Sequence, residues 1–263
     1  MTSEYEMSQI LIGSIASLLA GLATAVGALP IFFMRRISET AQDTMLGFAA
    51  GVMLAASFFS LILPGLAAAG ALGMGRVGSV TLVIAGILLG AAAVWLIHRF
   101  VPHEHFVSGR EGLPTERIRR IWLFVIAITL HNFPEGLAVG VGFGDGDMAN
   151  GTALAIGIGL QNMPEGLAVA LSLLTLRYSR TRAFLVASLS GLVEPLGGVL
   201  GASAVVLAGS LLPWGLAFAA GAMIFVISHE IIPETHRRGL ATHGTAGLMI
   251  GLVTMMFLDV ALQ

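Results

Sequence analysis

Apolar stretches of about 20 residues or more recur from one end of this chain to the other, each long enough to cross roughly 30 Å of hydrocarbon as a helix. The segments between them are too short to form a soluble domain. A backbone in hydrocarbon must satisfy its own hydrogen bonds, which a succession of helices does and open strands cannot. With 56% of residues hydrophobic and 11% charged, the composition agrees, and the expected fold is an all-α membrane protein forming one domain over 1–263.

Breaks at charged and Gly/Pro-rich stretches give eight transmembrane helices, near 9–33, 43–69, 78–100, 117–143, 150–176, 183–208, 212–234 and 243–262. The basic residues test that count, because loops on the cytosolic side carry the excess of them. All 13 are arginines, and twelve fall after spans one, three, five and seven; Arg76 alone falls on the other side. That alternation places both termini outside the cell or in the periplasm, the twelve arginines in the cytosol, and the protein in the cell (inner) membrane as a multi-pass chain. The chain begins MTSEYEMSQ without a basic leader, so the first span is expected to be retained. Spans one to three then start outside, spans six to eight start inside, and spans four and five form a central antiparallel pair. This is an inverted 3+2+3 arrangement, a plan that places a transporter's site at the midplane.

Several classes are excluded early. A formal net charge of -2 without a basic cluster gives no nucleic-acid partner. Cysteine is absent, so any metal must be held by imidazole, carboxylate, amide or thioether.

Two spans carry nearly the same decapeptide, HNFPEGLAVG from His131 and QNMPEGLAVA from Gln161. The four-residue spacing puts His131 over Glu135, and Gln161 over Glu165, on one helix face. Asn132 and Asn162 precede the same glutamates by three. Pro134 and Pro164 are expected to kink their helices and free the carbonyls of Leu130 and Leu160. Both motifs lie about halfway along their spans, as does Glu194 before Pro195. One ionised carboxylate at that depth costs about 2.5 kcal/mol or more, and no lysine or mid-span arginine is present to offset three of them. Protons, a metal ion, or both must compensate. The alternative is that the glutamates are protonated and bonded to neighbouring helices. The duplicated spacing argues for metal, and imidazole with carboxylate and amide oxygen suits zinc, cadmium, manganese, iron, cobalt and nickel.

Weaker signals lie elsewhere. SHEIIPETH near the end of span seven offers His229, Glu230, Glu234 and His236 as an exit station; Pro233 stands where a zinc protease would need its second histidine. Asp259 is a candidate entrance residue and Met53 a candidate thioether, while His103, Glu104 and His105 read as a solvated loop. Gly47-x-x-x-Gly51 and Gly197-x-x-x-Gly201 would let helices approach closely.

HNFPEG, QNMPEG, the EP of span six and HEIIPE together resemble the ZIP family of zinc and iron transporters, in its prokaryotic branch, over nearly the whole chain. The resemblance implies uptake of zinc, cadmium and related divalent cations toward the cytosol as bound substrate, with no prosthetic group and no enzyme activity. It implies a binuclear centre, with His131, Glu135, Gln161, Glu165 and Met53 at one site and Asn132, Asn162, Glu165 and Glu194 at the other. Some members carry aspartate where this chain has Asn162, which leaves one negative charge fewer. His229 and Glu230 would line the exit. It also implies an elevator motion, spans one, four, five and six moving against the rest, within a homodimer in the lipid bilayer. Two other classes were weighed. An intramembrane metal-dependent hydrolase would need an open coordination position and a base such as Glu194, and a non-transporting sensor would need a soluble signalling domain.

Overall fold

The computed structural model describes residues 2–33, 38–100, 114–144, 146–176, 178–236 and 241–262. Among the described residues all regular structure is helical, in eleven α-helices. They are α1 (Thr2–Ala28), α2 (Glu39–Ala56), α3 (Leu63–Ala71), α4 (Arg76–Phe100), α5 (Pro114–Gly144), α6 (Met148–Thr175), α7 (Arg180–Gly191), α8 (Glu194–Leu207), α9 (Leu212–Val226), α10 (Ile232–His236) and α11 (Ala241–Leu262). Among the described residues seven helical stretches are long and apolar enough to cross a membrane: Met7–Phe32, Glu39–Ala71, Arg76–Leu96, Met148–Leu174, Arg180–Leu207, Gly209–His229 and Ala241–Leu262. The protein is a multi-pass membrane protein. α5 is 31 residues long with Pro134 inside it and is not in that set. Large apolar side chains remain exposed along α1, α4, α8 and α11, for example Leu19, Leu88, Leu200 and Phe257, as a lipid-facing surface requires.

Local chemistry sets the boundaries. Ser38, Asp147 and Ser179 cap α2, α6 and α7 by accepting bonds from the amides of Ala41, Asn150 and Arg182. Pro64, Pro195 and Pro213 stand in the first turns of α3, α8 and α9, where a missing amide hydrogen costs little. Two stretches are interrupted by π-helical segments, Ser57–Ile62 between α2 and α3 and Ile227–Ile231 between α9 and α10. Both lead into a proline, Pro64 and Pro233. The expected span 183–208 is two helices, broken at Leu192–Val193 just before Glu194. By contrast α5 and α6 run through Pro134 and Pro164 without a break.

The helices pack as two bundles. One contains α1, α5, α6, α7 and α8, with α1 against α6 and α5 against α8 as its main pairs. The other contains α2, α3, α4, α9, α10 and α11, built on α2 against α11 and α4 against α9. Between them, α6 meets α2 and α11, and α5 meets α9.

Glycines make the pairing inside each bundle tight. A Cβ on Gly166 would collide with the Thr24 carbonyl and one on Gly136 with that of Glu194; Gly27 meets the Met163 carbonyl and Gly197 that of Phe133. In the second bundle Gly51 meets the Leu248 carbonyl and Gly221 that of Ile87, while Gly251 meets the Phe48 carbonyl and Gly90 that of Phe218. These contacts come in matched twos. Thr24 and Glu194, Gly27 and Gly197, Phe48 and Phe218, and Gly51 and Gly221 are each separated by the same number of residues.

Candidate metal centre

The two decapeptides lie on adjacent helices of the first bundle, α5 and α6, and bring Asn132, Glu135, Gln161, Asn162 and Glu165 together with Glu194 at the start of α8. All six are at most 2% exposed. The break before α8 follows from sequence: Pro195 restricts the residue before it and suits a first helical turn, so a helix restarts at Glu194. That restart fixes the carboxylate at the same depth as the motif.

The amide hydrogens are committed partly to backbone carbonyls outside this group and partly to its own glutamates. Asn132 donates from Nδ2 to the Ser190 carbonyl, 2.8 Å, and Asn162 donates to the Ala20 carbonyl, 2.9 Å. Asn162 also donates to Glu194 Oε1 at 2.7 Å, and Gln161 Nε2 donates to Glu135 Oε1. With those donors committed, five buried oxygens receive no hydrogen bond: Asn132 Oδ1, Gln161 Oε1, Asn162 Oδ1, Glu135 Oε2 and Glu194 Oε2. Buried acceptors are nearly always partnered, so five together call for hydrogen-bond donors or a cation. Three of the six residues, Glu135, Glu165 and Glu194, are carboxylic side chains buried together. Among the described residues no three His, Asp or Glu side chains are placed to hold one ion by themselves. A cation here would therefore draw on the amide oxygens as well, a hard, mostly oxygen donor set.

The remaining candidates are spread more widely. Met53 is buried on α2, in the second bundle. His229 is exposed on the π-helical segment after α9, its ring 5.0 Å from that of Phe225. Asp259 is buried on α11 and accepts a hydrogen bond from Ser60 Oγ, 2.7 Å away in the π-helical segment of the α2–α3 stretch. The side chains of His131, Glu230, Glu234 and His236 and the segment of His103, Glu104 and His105 lie outside the described residues.

Two buried polar residues escaped the sequence reading. Asp43 was placed at the start of a span, whereas α2 begins at Glu39 and buries it in the second turn. Thr24 is 1% exposed on α1 beside the motif glycine Gly166. A signal for it exists: GLATAVG from Gly21 matches GLVEPLG from Gly191, with Thr24 in the place of Glu194.

The family model described as ZIP Zinc transporter matches residues 103–259, which include both motifs, Glu194 and the HEIIPE segment. The chain belongs to the ZIP zinc transporter family. Zinc transporter GufA of Myxococcus xanthus is 46% identical to this ZIP chain over 250 residues, covering 95% of it and 98% of the relative. Zinc transporter ZIPB of Bordetella bronchiseptica is 51% identical over 241 residues, covering 91% and 78%. The human zinc transporter ZIP11 is 38% identical, covering 91% and 94%. The ZIP chain is thus a transporter and not an enzyme, and the hydrolase reading is set aside.

Proposed function

We propose that this ZIP chain carries zinc, cadmium and related divalent cations, iron, manganese and cobalt among them, through the buried group between α5 and α6. The observation that carries the reading is the set of five oxygens without donors in a buried group that includes three glutamates. A divalent cation supplies both the missing partners and the missing charge, and amide and carboxylate oxygens exchange with its water readily enough for passage. His131, Glu135, Gln161, Glu165 and Met53 form one half of a binuclear centre, and Asn132, Asn162, Glu165 and Glu194 the other.

The finer architecture follows from the same packing. α5 is the eighth span, since it pairs with α8 as α6 pairs with α1. The matched contacts support the inverted 3+2+3 arrangement, in which α1 to α4 repeat as α7 to α11 around the α5–α6 pair. Both termini then face outside, His229 lines the exit with Glu230 and Glu234, and Asp259 stands toward the entrance. Transport into the cytosol proceeds by motion of the first bundle against the second, an elevator whose cargo rides between α5 and α6.

The test is zinc and cadmium flux into liposomes holding the purified protein, beside a His131→Ala plus Glu135→Ala variant shown to be folded. Flux in the wild type that disappears in the variant is the expected result. Equal flux through both proteins would remove the site, and no flux under gradients of either direction, with or without a proton gradient, would remove the function.

A further inference from the structure

The inverted repeat gives each site residue a mate. Glu135 is matched by Glu165, Asn132 by Asn162, and His131 by Gln161. The hydrogen bonds obey the same rule: Asn132 donates to the Ser190 carbonyl and Asn162 to that of Ala20, and Ala20 and Ser190 stand immediately before the mated glycines Gly21 and Gly191. Gly21 and Gly191 even face one another, each meeting the other's carbonyl. Glu194, the remaining carboxylate, is matched by Thr24. Their backbones occupy equivalent places, the Glu194 carbonyl against Gly136 and the Thr24 carbonyl against Gly166.

Thr24 behaves unlike the other hydroxyl side chains of these helices. Ser14, Thr44, Ser57, Thr81, Thr129, Ser188 and Thr254 each return a hydrogen bond to the carbonyl four residues earlier. That is the ordinary way to satisfy a hydroxyl in an apolar helix. For Thr24 the corresponding carbonyl belongs to Ala20, which accepts the Asn162 amide instead. Thr24 Oγ1 is buried without a hydrogen-bond partner and lies against Gly191, next to the Ser190 carbonyl that anchors Asn132.

We propose that the Thr24 hydroxyl is a neutral oxygen of the transport site, the mate of Glu194, contacting the cation or its bound water. The inference rests on the metal-site reading above. It explains why the hydroxyl is buried and unbonded, and it makes the centre electrostatically lopsided: a carboxylate at one end of the pseudo-twofold and a hydroxyl at the other. A cation bound toward Glu194 therefore meets one more full charge than one bound toward Thr24, so the two positions differ in affinity despite the near-identical decapeptides.

The experiment compares zinc binding, read as zinc-dependent thermal stabilisation of detergent-solubilised full-length protein, with the concentration of zinc giving half-maximal liposome flux. The variants are Thr24→Val, which keeps the shape, Thr24→Ala as a second form lacking the hydroxyl, Thr24→Ser, which keeps the hydroxyl, and Glu165→Gln. Loss of one neutral oxygen contact is expected to raise the zinc requirement about fivefold in the Val and Ala variants by both readouts. The Ser variant should stay within about twofold of wild type. Wild-type zinc dependence in the Val and Ala variants, while Glu165→Gln loses it, overturns the role of Thr24 alone. A Ser variant as weak as Val overturns it too, since the loss would then follow shape rather than the hydroxyl. If Glu165→Gln also binds and carries zinc like wild type, the metal-site reading falls with it.

Discussion

The seams inside the two bundles and the seam between them are made differently. Within a bundle many glycines sit on backbone, among them Gly136 on Glu194, Gly166 on Thr24, Gly51 on Leu248 and Gly221 on Ile87. Between bundles the glycine contacts are to side chains, Gly157 of α6 against Met255 and Val52, and Gly215 of α9 against Val141. Backbone seated on backbone cannot yield, because interiors packed to crystal-like density respond to one added methyl group. A methionine or valine can change rotamer or slide past an aliphatic neighbour. The candidate site residues of α5, α6 and α8 thus share one bundle held by such contacts, and the more compliant face lies between that bundle and the other.

Locking the compliant seam should have the largest effect. A Cβ on Gly215 would stand 3.8 Å from Val141 Cβ, the average separation in disulfides, and the chain has no cysteine of its own to interfere. Val141→Cys with Gly215→Cys should therefore form a disulfide under oxidation, reduce zinc flux to the protein-free background, and recover with reductant. The control lies inside the second bundle, where a Cβ on Gly65 would be 3.5 Å from Leu216 Cβ. That cross-link should leave flux intact. Arrest by both, or by neither, would break the distinction between the seams.

Next in size is damage to a rigid seam. Gly136→Ala puts a methyl group into the Glu194 backbone. No rotamer relieves that contact, so we expect a loss of about 3 kcal/mol or more, read as a fall in thermal unfolding temperature in detergent or as failure to accumulate. A Tm near that of wild type would mean that the α5–α8 seam moves more freely than its geometry implies.

Much of this was legible beforehand, for reasons that also mark the limit. Long apolar runs announce helices because hydrocarbon leaves the backbone no alternative, and the duplicated His/Gln, Asn and Glu spacing places the candidate site residues on one helix face. What stayed hidden depends on partners that a linear pattern does not name. The carbonyls of Ala20 and Ser190, which hold the two asparagines, have no side-chain signature. The π-helical segments before Pro64 and Pro233 arise where a helix makes room for a turn that proline cannot bond. The second span, expected from 43, begins at Glu39, which leaves Asp43 buried inside the helix. Asp259 reads from sequence as a candidate entrance residue, and its bond to Ser60 has no sequence signal because the donor lies 199 residues away.

That buried bond yields a smaller expected effect. Ser60→Ala removes one donor to Asp259 in the rigid α2–α11 seam. A loss of about 1 to 2 kcal/mol in stability should follow, as for a hydrogen bond to a charged group, with the saturated rate of zinc flux unchanged. A rate that falls while stability holds would assign the pair to movement of the ion instead of to the seam.

The smallest effect is expected at Gly157, where it is also the most informative. A methyl group there would meet the sulfur and terminal carbon of Met255, the far end of a flexible side chain, instead of a carbonyl. Methionine has three rotatable bonds and fills irregular space, so Gly157→Ala should cost no more than about 1 kcal/mol in thermal unfolding. Each passage of the first bundle past α11 would nevertheless carry the added methyl group across the methionine. The zinc flux at saturation should therefore fall while the zinc concentration for half-maximal flux stays fixed, because the change touches the sliding face and not the ligands. Replacing Met255 with the shorter Ala in the same chain should restore the rate. If Gly157→Ala instead unfolds the protein as Gly136→Ala does, the two kinds of seam are equally rigid, and motion of one bundle against the other must be sought along a different boundary.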